Sequence, residues 1–444
     1  MPSYSSDEFM ADWRYAVEQD FTTSAGKPYP YADNGKLQWG NEVKKMTFKK
    51  QPHLGSVSHD GKFLALAVEH DIHVVDTQTW ETLTVLKGHT SKINAVAFRP
   101  NDARTLISCD QPMYDRREPE KEPTIILWSI EEEQAKTSLG EDSLSSVARA
   151  AASVVGDKLA ELSVSLDRAK IQDLGAVFEP AIERLVTEYM AAGKPTLQGQ
   201  LVFSHESQVF SPSGQYVAYI LGKRPCSNRD DPCDIKIISV DDLTKGMTLK
   251  GHTDAMMWFG WNSDESLFAS VSWGGTIRIW DPKTGHEKHL FRTDHQNWTG
   301  SFSPDSKYFA TVDGKANVRV YSMASDGQLH WTYEGLQADR WRRTISWHPN
   351  NQWLAVGGEK CGELLLLDIE EKKLLQKRLL SVDASTGKDE VRHMMKSFVG
   401  TYEVKFVDGG NKLAVWTFGD DSIEVYDINR EVKWRFARSR QMER

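Results

Sequence analysis

The sequence lacks the features that mark membrane and secreted proteins. Among its 444 residues, no apolar run reaches the roughly 18 positions that a membrane-spanning helix needs. The opening residues, Met1 to Glu8, do not show the basic-then-apolar order of a secretory leader. The chain contains only 4 cysteines, which excludes a disulfide-rich scaffold. We therefore expect a cytoplasmic or nuclear protein.

An excess of positive charge is also missing. Acidic residues outnumber basic ones, 63 to 54, and the formal net charge is −9. A chain of this balance has no global field that would hold nucleic acid or an anionic membrane surface. We therefore expect protein partners, and neither nucleic acid nor a membrane.

Motifs for catalysis and cofactor binding are absent as well. The chain has no phosphate-binding glycine loop and no Gly-x-Ser-x-Gly turn. Residues 205–208 begin like a zinc-protease motif, but the second histidine is missing. Cys226 and Cys233 could pair in an oxidising compartment, and as metal ligands they lack two further partners, so we expect two free thiols. These motifs predict no cofactor, metal or catalytic residue.

What the chain does contain is a repeat. The stretch from Gly251 to Asp281 begins with Gly251-His252, holds three runs of β-type alternation separated by polar turns, and ends with Trp280-Asp281. A turn motif recurs along the chain, at Ser58–Gly61, Arg99–Asn101, Ser211–Gly214, Asn262–Asp264, Ser303–Ser306, His348–Asn350 and Val407–Gly409. A strand end follows each turn, at Val75-Asp76, Trp128-Ser129, Ile238-Ser239, Trp280-Asp281, Tyr321-Ser322, Leu367-Asp368 and Tyr426-Asp427. Both markers predict seven repeats.

With Gly-His near its start, Trp-Asp near its end and a period of about 40 residues, this unit resembles the WD40-repeat family. The resemblance implies an all-β fold, a seven-bladed β-propeller. We expect an N-terminal arm at 1–40, the propeller at 41–440 and an inserted helical hairpin at 140–194. Val43–Phe48 and Val432–Phe436 compete for the strand that closes the ring. The arm either packs on the propeller itself or docks a partner.

The insert has a different period. Its first helix carries an apolar heptad seam at Ala148, Ala152, Val155, Leu159, Leu162, Leu166 and Ala169. The apolar faces of the two predicted helices either pack on each other or remain available to a partner helix. On the second reading, Leu159, Leu162 and Leu166 contact the partner or a second copy of the chain.

Long connections indicate which face of the propeller is functional. Aligning Gln134–Leu139 with a fourth strand places the insert and the four other long connections on one face. Trp273 lies in a second-to-third-strand turn on that face, and Arg340, Trp341, Arg342 and Arg343 lie in a fourth-to-first link. Trp and Arg often dominate interface energies, so these are our candidate partner-binding residues. Alternatively, Trp341 packs between two blades and the arginines pair with local carboxylates.

The resemblance also implies hydrogen-bonded networks within the repeats. His89 and Trp128 match two positions of such a network, and His252 and Trp280 match two more, with Asp281 at the strand end. Gly274 stands where the network's aspartate would be, so we expect an incomplete network there. These side chains are predicted to be structural.

The family mostly provides rigid platforms for protein assembly. The resemblance therefore implies a non-catalytic scaffold or adaptor that binds protein or peptide partners on the loop-rich face. The alternative is a propeller-based enzyme, a hydrolase or lyase, with its site at the channel mouth. Convergent carboxylates or histidines in a deep pocket would favour chemistry, and a ring of Trp, Arg and backbone groups would favour binding.

Overall fold

The computed structural model describes residues 18–38, 44–110, 123–137, 194–202, 207–221, 233–324, 327–335, 342–358, 364–380, 400–418 and 422–437. Two N-terminal strands come first, β1 (Glu18–Gln19) and β2 (Tyr31–Gln38). Sheet 1 consists of β3 (Leu54–Val57), β4 (Phe63–Val68), β5 (Asp71–Asp76) and β6 (Thr82–Leu86). Sheet 2 consists of β7 (Ile93–Arg99), β8 (Asp102–Asp110), β9 (Thr124–Ser129) and β10 (Thr196–Gln198), with helix α1 (Ile130–Thr137) after β9.

The remaining sheets follow in chain order. Sheet 3 consists of β11 (Tyr216–Ile220), β12 (Ile235–Ser239) and β13 (Gly246–Leu249). Sheet 4 consists of β14 (Met256–Trp261), β15 (Phe268–Ser272), β16 (Thr276–Trp280) and β17 (Glu287–Arg292). Sheet 5 consists of β18 (Asn297–Phe302), β19 (Tyr308–Asp313), β20 (Val318–Ser322) and β21 (Leu329–Tyr333).

Sheets 6 and 7 complete the set. Sheet 6 consists of β22 (Arg342–Trp347), β23 (Trp353–Gly358), β24 (Leu364–Asp368) and β25 (Lys373–Leu380). Sheet 7 consists of β26 (Gly400–Val407), β27 (Lys412–Phe418), β28 (Ser422–Asp427) and β29 (Val432–Ala437), with a 3-10 turn at Asp408–Gly410. Both sheets gain a fifth strand, because β1 pairs antiparallel with β25 and β2 pairs parallel with β29.

The all-β prediction with seven sheets is therefore confirmed. Every predicted turn lies between the first and second strand of a sheet, and every predicted strand end closes a third strand. In sheet 3 the first strand is represented by residues 207–212, where Phe210 bridges to Val217. Middle strands are buried on both sides, as in β15, where every residue is buried. The outer strand β17 contains only partly buried and exposed residues, as expected for a strand at the solvent-facing edge of a sheet.

The first strands of all seven sheets line one central cavity of about 1120 Å³. Consecutive sheets share hydrophobic clusters, for example around Trp128 between sheets 1 and 2, and around Val404 between sheets 6 and 7. Within the described ranges, no cluster joins sheet 7 to sheet 1. On the two sides that would meet there, Val57 is 58% exposed and Trp416 is 47% exposed. The sheets thus follow one another in the order of propeller blades, but among the described residues no hydrophobic cluster packs the last sheet against the first.

The segment that follows β9 is not the strand that we predicted. Gln134 belongs to helix α1, and β10 forms the fourth strand of sheet 2 by pairing with β9. The helix starts where the Ser129 hydroxyl lies 3.5 Å from the amide nitrogen of Glu132, and glutamates occupy its first turn. Both features stabilise a helix N-terminus. The predicted hairpin itself lies outside the described residues, except at its last position, Lys194.

The two ends of the chain meet in sheet 7, where an N-terminal strand that we did not predict pairs with β29. Val432–Ala437 is the ordinary fourth strand of sheet 7, and residues 44–48 form no strand. The fifth strand of sheet 7 is Tyr31–Gln38 instead. From there the chain continues to sheet 1, where Phe48 lies 5.0 Å from the His73 ring. The N-terminal segment therefore contacts sheets 6, 7 and 1 in turn.

Candidate functional site

The strand order defines two faces. Links from a second to a third strand, and from a fourth strand to the next sheet, leave from what we call the upper face. Links from first to second and from third to fourth strands leave from the lower face. Since the insert joins β9 to β10, a third to a fourth strand, it leaves from the lower face. Our prediction that all long connections share one face is therefore wrong for the insert, and the other four leave from the upper face.

An aromatic and arginine cluster lies at the upper face. Trp298 is the second residue of β18 and is 5% exposed. The Arg343 guanidinium lies over its ring at 4.4 Å, and the partly buried Trp273 meets it edge-on at 5.3 Å. Because the Arg343 cation and the Trp273 ring both contact the indole of Trp298, the three side chains hold one another in position. The structure thus brings the predicted Trp273 together with two residues that belong to different sheets.

A second aromatic pair lies at the same face of sheet 7. Tyr402 and Trp416 are 64% and 47% exposed, and their rings lie 5.3 Å apart. The register shift between Thr401 and Glu403 in β26 lies at this point. Large aromatic side chains that stay exposed on a rigid sheet resemble the anchors of protein interfaces. We call Trp273, Trp298, Arg343, Tyr402 and Trp416 the upper-face cluster.

The cavity lining connects both parts of the cluster. Arg343 and Tyr402 both line the central cavity, together with Trp258 and Trp261 from β14. Glu403 is the one carboxylate in this described lining, and it pairs with Lys405 at 3.5 Å. No histidine occurs among these lining residues. From the sequence we expect a ring of Trp, Arg and backbone groups where a propeller binds a partner, and convergent carboxylates or histidines where it catalyses a reaction. The composition of this lining favours binding.

The predicted loop anchors have different positions. Arg342 is 2% exposed, and its guanidinium donates a hydrogen bond to the Ala316 carbonyl at 3.0 Å. It therefore supports the junction of sheets 5 and 6 in this structure. Arg340, Trp341, Leu159, Leu162 and Leu166 lie outside the described residues, and their partner-binding role stays a prediction.

Sheet 2 holds a complete repeat network. The Ser108 hydroxyl accepts a hydrogen bond from Trp128 Nε1 at 2.7 Å and lies 2.6 Å from His89 Nε2. The other ring nitrogen of His89 lies 3.5 Å from the Asp110 carboxylate. Asp110 in turn accepts a hydrogen bond from the Thr124 amide at 2.7 Å. All these side-chain groups are buried, and the network links β8, β9 and the segment that precedes β7.

Sheet 4 completes the same network with a different residue. Ser270 Oγ accepts a hydrogen bond from Trp280 Nε1 at 2.8 Å and lies 2.7 Å from His252 Nε2. His252 Nδ1 lies 2.8 Å from the Thr276 hydroxyl. The expected incomplete network is therefore wrong, because Thr276 replaces the missing aspartate. Burial, with the nearby Arg278 charge, lowers the pKa of His252 to about 3, so its imidazole is neutral and structural.

Asp281 shapes the lower-face turn after β16. Its carboxylate accepts hydrogen bonds from the Lys283 amide at 2.8 Å and the Thr284 amide at 3.3 Å. The hydrogen bond from Lys283 is the main reason that the pKa of Asp281 is lowered. Asp76 and Asp427 accept backbone hydrogen bonds at the equivalent turns. The aspartate at these strand ends thus stabilises the turn that follows the strand.

Sequence reasoning missed part of the upper-face cluster. It named Trp273, and Arg343 as the last residue of the link at 340–343, but not Trp298, Tyr402 or Trp416. A signal was present, because Trp298, Arg343 and Tyr402 all stand in the opening residues of first strands, directly beside the upper-face links. Position in the repeat, added to residue type, would have selected them.

The described ranges hold neither a metal-binding cluster nor a membrane-spanning helix. These contain no group of histidine, cysteine, aspartate or glutamate side chains that could hold a metal ion. Nor do they contain a helix long and apolar enough to cross a membrane. Cys109 is a free, buried thiol, whereas Cys233 is disulfide-bonded. The expectation of a free thiol at Cys233 is therefore wrong.

Comparisons with known proteins point to the same repeat. The chain is similar over 130 residues to the "Ribosome biogenesis protein WDR12 homolog" of Anopheles gambiae, with 28% identity over 29% of this chain and 30% of that protein. It is similar over 132 residues to the homologue from Drosophila virilis, with 26% identity over 29% of this chain and 31% of that protein. "Autophagy-related protein 18" of Meyerozyma guilliermondii is 27% identical over 117 residues, 26% of this chain and 21% of that protein.

The alignments thus span about a third or less of these relatives' length. The family model described as "WD domain, G-beta repeat" matches residues 80–117 and 243–281. The first match runs from the end of sheet 1 into sheet 2, and the second includes the His252 and Trp280 network. Each match includes one of the two histidines expected from the repeat pattern, His89 and His252. The chain therefore carries WD40 repeats.

Proposed function

We propose that the chain is a non-catalytic scaffold that binds a protein or peptide partner on its upper face. The upper-face cluster is the observation that carries this proposal. Trp298, Trp273 and Arg343 form a packed base, and Tyr402 and Trp416 remain exposed beside the cavity. Rigid aromatic side chains offer a large contact area with little loss of conformational freedom on binding.

The same cluster favours an extended segment with an apolar or aromatic anchor. Tyr402 and Trp416 provide exposed ring faces, and Arg343 and Lys405 line the adjacent cavity. An apolar side chain would bury ring surface, while a carboxylate or a main-chain carbonyl would accept hydrogen bonds from the cations. The WDR12 homologues are named for ribosome biogenesis, and the other relative is named for autophagy. A scaffold role is a more general function that is compatible with both names.

The seven sheets form a closed seven-bladed propeller in this proposal. The common cavity bounded by all seven first strands supports closure. Closure would bring the exposed sides of sheets 7 and 1 together and bury apolar side chains such as Val57 at the lower end of β3, whereas Trp416 lies near the upper end of β27, at the rim of that junction. The expected domain limits, an arm at 1–40, a propeller at 41–440 and an insert at 140–194, stay predictions.

The insert offers a second binding surface on the lower face. We propose that its first helix presents Leu159, Leu162 and Leu166 to a partner helix. The insert leaves the body at α1 and returns at Lys194, and the ion pair of Lys194 with Glu133 at 3.1 Å fixes both ends. Two partners could then bind on opposite faces at once. A cytoplasmic or nuclear location stays a prediction, and the disulfide at Cys233 removes one of its supports.

The experiment is affinity purification from cell extract, read by quantitative mass spectrometry. The double variant Tyr402→Ala, Trp416→Ala is compared with the unaltered chain. Trp80→Ala serves as the matched control, because Trp80 is a 44% exposed tryptophan in a lower-face turn. Proteins lost with the double variant and retained with the control would identify the upper-face partner. Identical sets of proteins with all three chains would reject the upper face as the site.

A further inference from the structure

A groove between the outer parts of sheets 6 and 7 holds residues 20–29 of the chain. Phe21 is fully buried there, Tyr29 is 3% exposed, and the Phe21 ring lies 4.9 Å from that of Tyr426. These rings belong to the cluster that contains Leu364 of sheet 6 and Val404 of sheet 7. Between the two aromatic anchors, the chain makes an exposed turn around residues 23–27.

The groove recognises the main chain as well as the side chains. The Gln376 side chain accepts a hydrogen bond from the Thr22 amide at 3.1 Å and donates one to the Thr22 carbonyl at 2.9 Å. Glu431 accepts a hydrogen bond from the Ser24 amide at 2.8 Å, and the Lys433 amide donates one to the Pro30 carbonyl at 3.0 Å. An amide side chain that pairs with both polar groups of one residue is a way to hold an extended peptide of any sequence.

Charge in the groove favours an acidic residue beside Lys433. Arg378, Lys433 and Arg435 are buried cations of sheets 6 and 7, and the buried carboxylates of these sheets include Glu424, Asp427 and Asp368. Asp20 adds a carboxylate from the N-terminal segment, because it bonds to the Lys433 ammonium and accepts a hydrogen bond from the Tyr426 hydroxyl at 2.8 Å. Since a buried cation is costly without a nearby anion, a carboxylate at the position of Asp20 stabilises an occupant of this groove.

Sheets 6 and 7 do not need the N-terminal segment for their own ladders. Each has four strands besides β1 or β2, the same number as sheets 1, 2, 4 and 5. The segment is therefore an addition to two complete sheets, and it is held as a bound peptide would be.

From these observations we propose that the groove is a peptide-binding site and that residues 20–29 are its internal ligand. The external partner is a protein segment in which an acidic residue directly precedes an aromatic one, as Asp20 precedes Phe21. Such a segment competes with the chain's own N-terminus. The site lies at the outer edges of sheets 6 and 7 and is independent of the upper-face cluster.

The test uses the full chain and a fluorescein-labelled peptide with the sequence of residues 18–31, followed by fluorescence anisotropy. The double variant Asp20→Asn, Phe21→Ala weakens the internal ligand, so the peptide should bind it about tenfold or more tightly than it binds the unaltered chain. A peptide with the same two substitutions should not bind. Lys27→Ala, at an exposed position of the turn, is the control and should behave like the unaltered chain.

Hydrogen–deuterium exchange on the unaltered chain decides the question if the double variant fails to fold. Excess peptide should speed amide exchange in residues 20–29, and the substituted peptide should leave it unchanged. Failure of the peptide both to bind a folded double variant and to change this exchange would overturn the proposal. A dimer of the unaltered chain in light scattering, without peptide binding, would also overturn it and assign the groove to exchange of N-termini between two copies.

Discussion

The ammonium of Lys194 lies 3.1 Å from the Glu133 carboxylate, which joins the two ends of the insert at the body of the protein. Both side chains are buried, and the same ammonium lies 4.2 Å above the Trp128 ring. Trp128 belongs to the hydrogen-bonded network of sheet 2. The base of the insert is thus coupled to the hydrogen-bonded network of sheet 2.

This coupling predicts a strong effect of single substitutions at either end. Glu133→Gln or Lys194→Met should each lower the free energy of unfolding by about 3 kcal/mol, since each leaves a buried charge without its partner. The double variant should lose less than the sum of the two. Urea denaturation of the four chains measures the coupling energy, and strictly additive losses would show that the pair does not interact.

His252 predicts a specific dependence of stability on pH. Its pKa is lowered to about 3 in the folded chain, against about 6.5 when unfolded, so below pH 6.5 the unfolded state takes up a proton that the folded state does not. Stability from this group is present above pH 6.5 and is lost as the pH falls towards 3. The free energy of unfolding should fall by about 1.4 kcal/mol more per pH unit than in His252→Gln between pH 6 and 4. Parallel curves for the two chains would contradict this.

The turn that carries Trp273 depends on a glycine. Gly275 has φ +70°, and a Cβ there would lie 2.5 Å from the Thr293 carbonyl oxygen. Gly61 has φ +71° with no atom within 4 Å of such a Cβ, so it is a matched control. Gly61→Ala should cost about 1 kcal/mol from backbone strain, and Gly275→Ala about 2 kcal/mol more from the clash. Equal losses in urea denaturation would show that the space around Gly275 is not limiting.

Closure of the ring can be tested by cross-linking. Val57 and Val407 stand at the lower ends of β3 and β26, the first strands of sheets 1 and 7, and both are exposed. If these sheets meet in solution, a short bismaleimide should join cysteines in the double variant Val57→Cys, Val407→Cys. The pair Val57→Cys, Leu329→Cys is the control, because Leu329 lies in the outer strand of sheet 5. Equal cross-linking yields for both pairs would argue against closure.

Sequence reasoning succeeded where the signal is local. Proline, glycine and aspartate in the turns, and alternating apolar residues in the strands, depend on a few neighbouring residues, and they located all seven sheets. It failed at Gln134, where a cap at Ser129 and acidic residues in the first turn favour a helix over an edge strand. An outer strand has one neighbour and little burial, so its sequence pattern is weak. That single error moved the insert to the wrong face.

The sequence by itself determined the repeat, its number and the pairing of His89 with Trp128 and of His252 with Trp280. Only the tertiary structure decided that Thr276 completes the network of His252, that β10 is the fourth strand of sheet 2, and that Trp298 and Arg343 meet Trp273. It also decided that residues 20–29 lie between sheets 6 and 7. The physical reason is that these contacts join residues far apart in the chain. Which of these contacts form depends on how all buried charges find partners and all open sheet edges find neighbouring strands in the folded chain. A local sequence pattern does not contain that information.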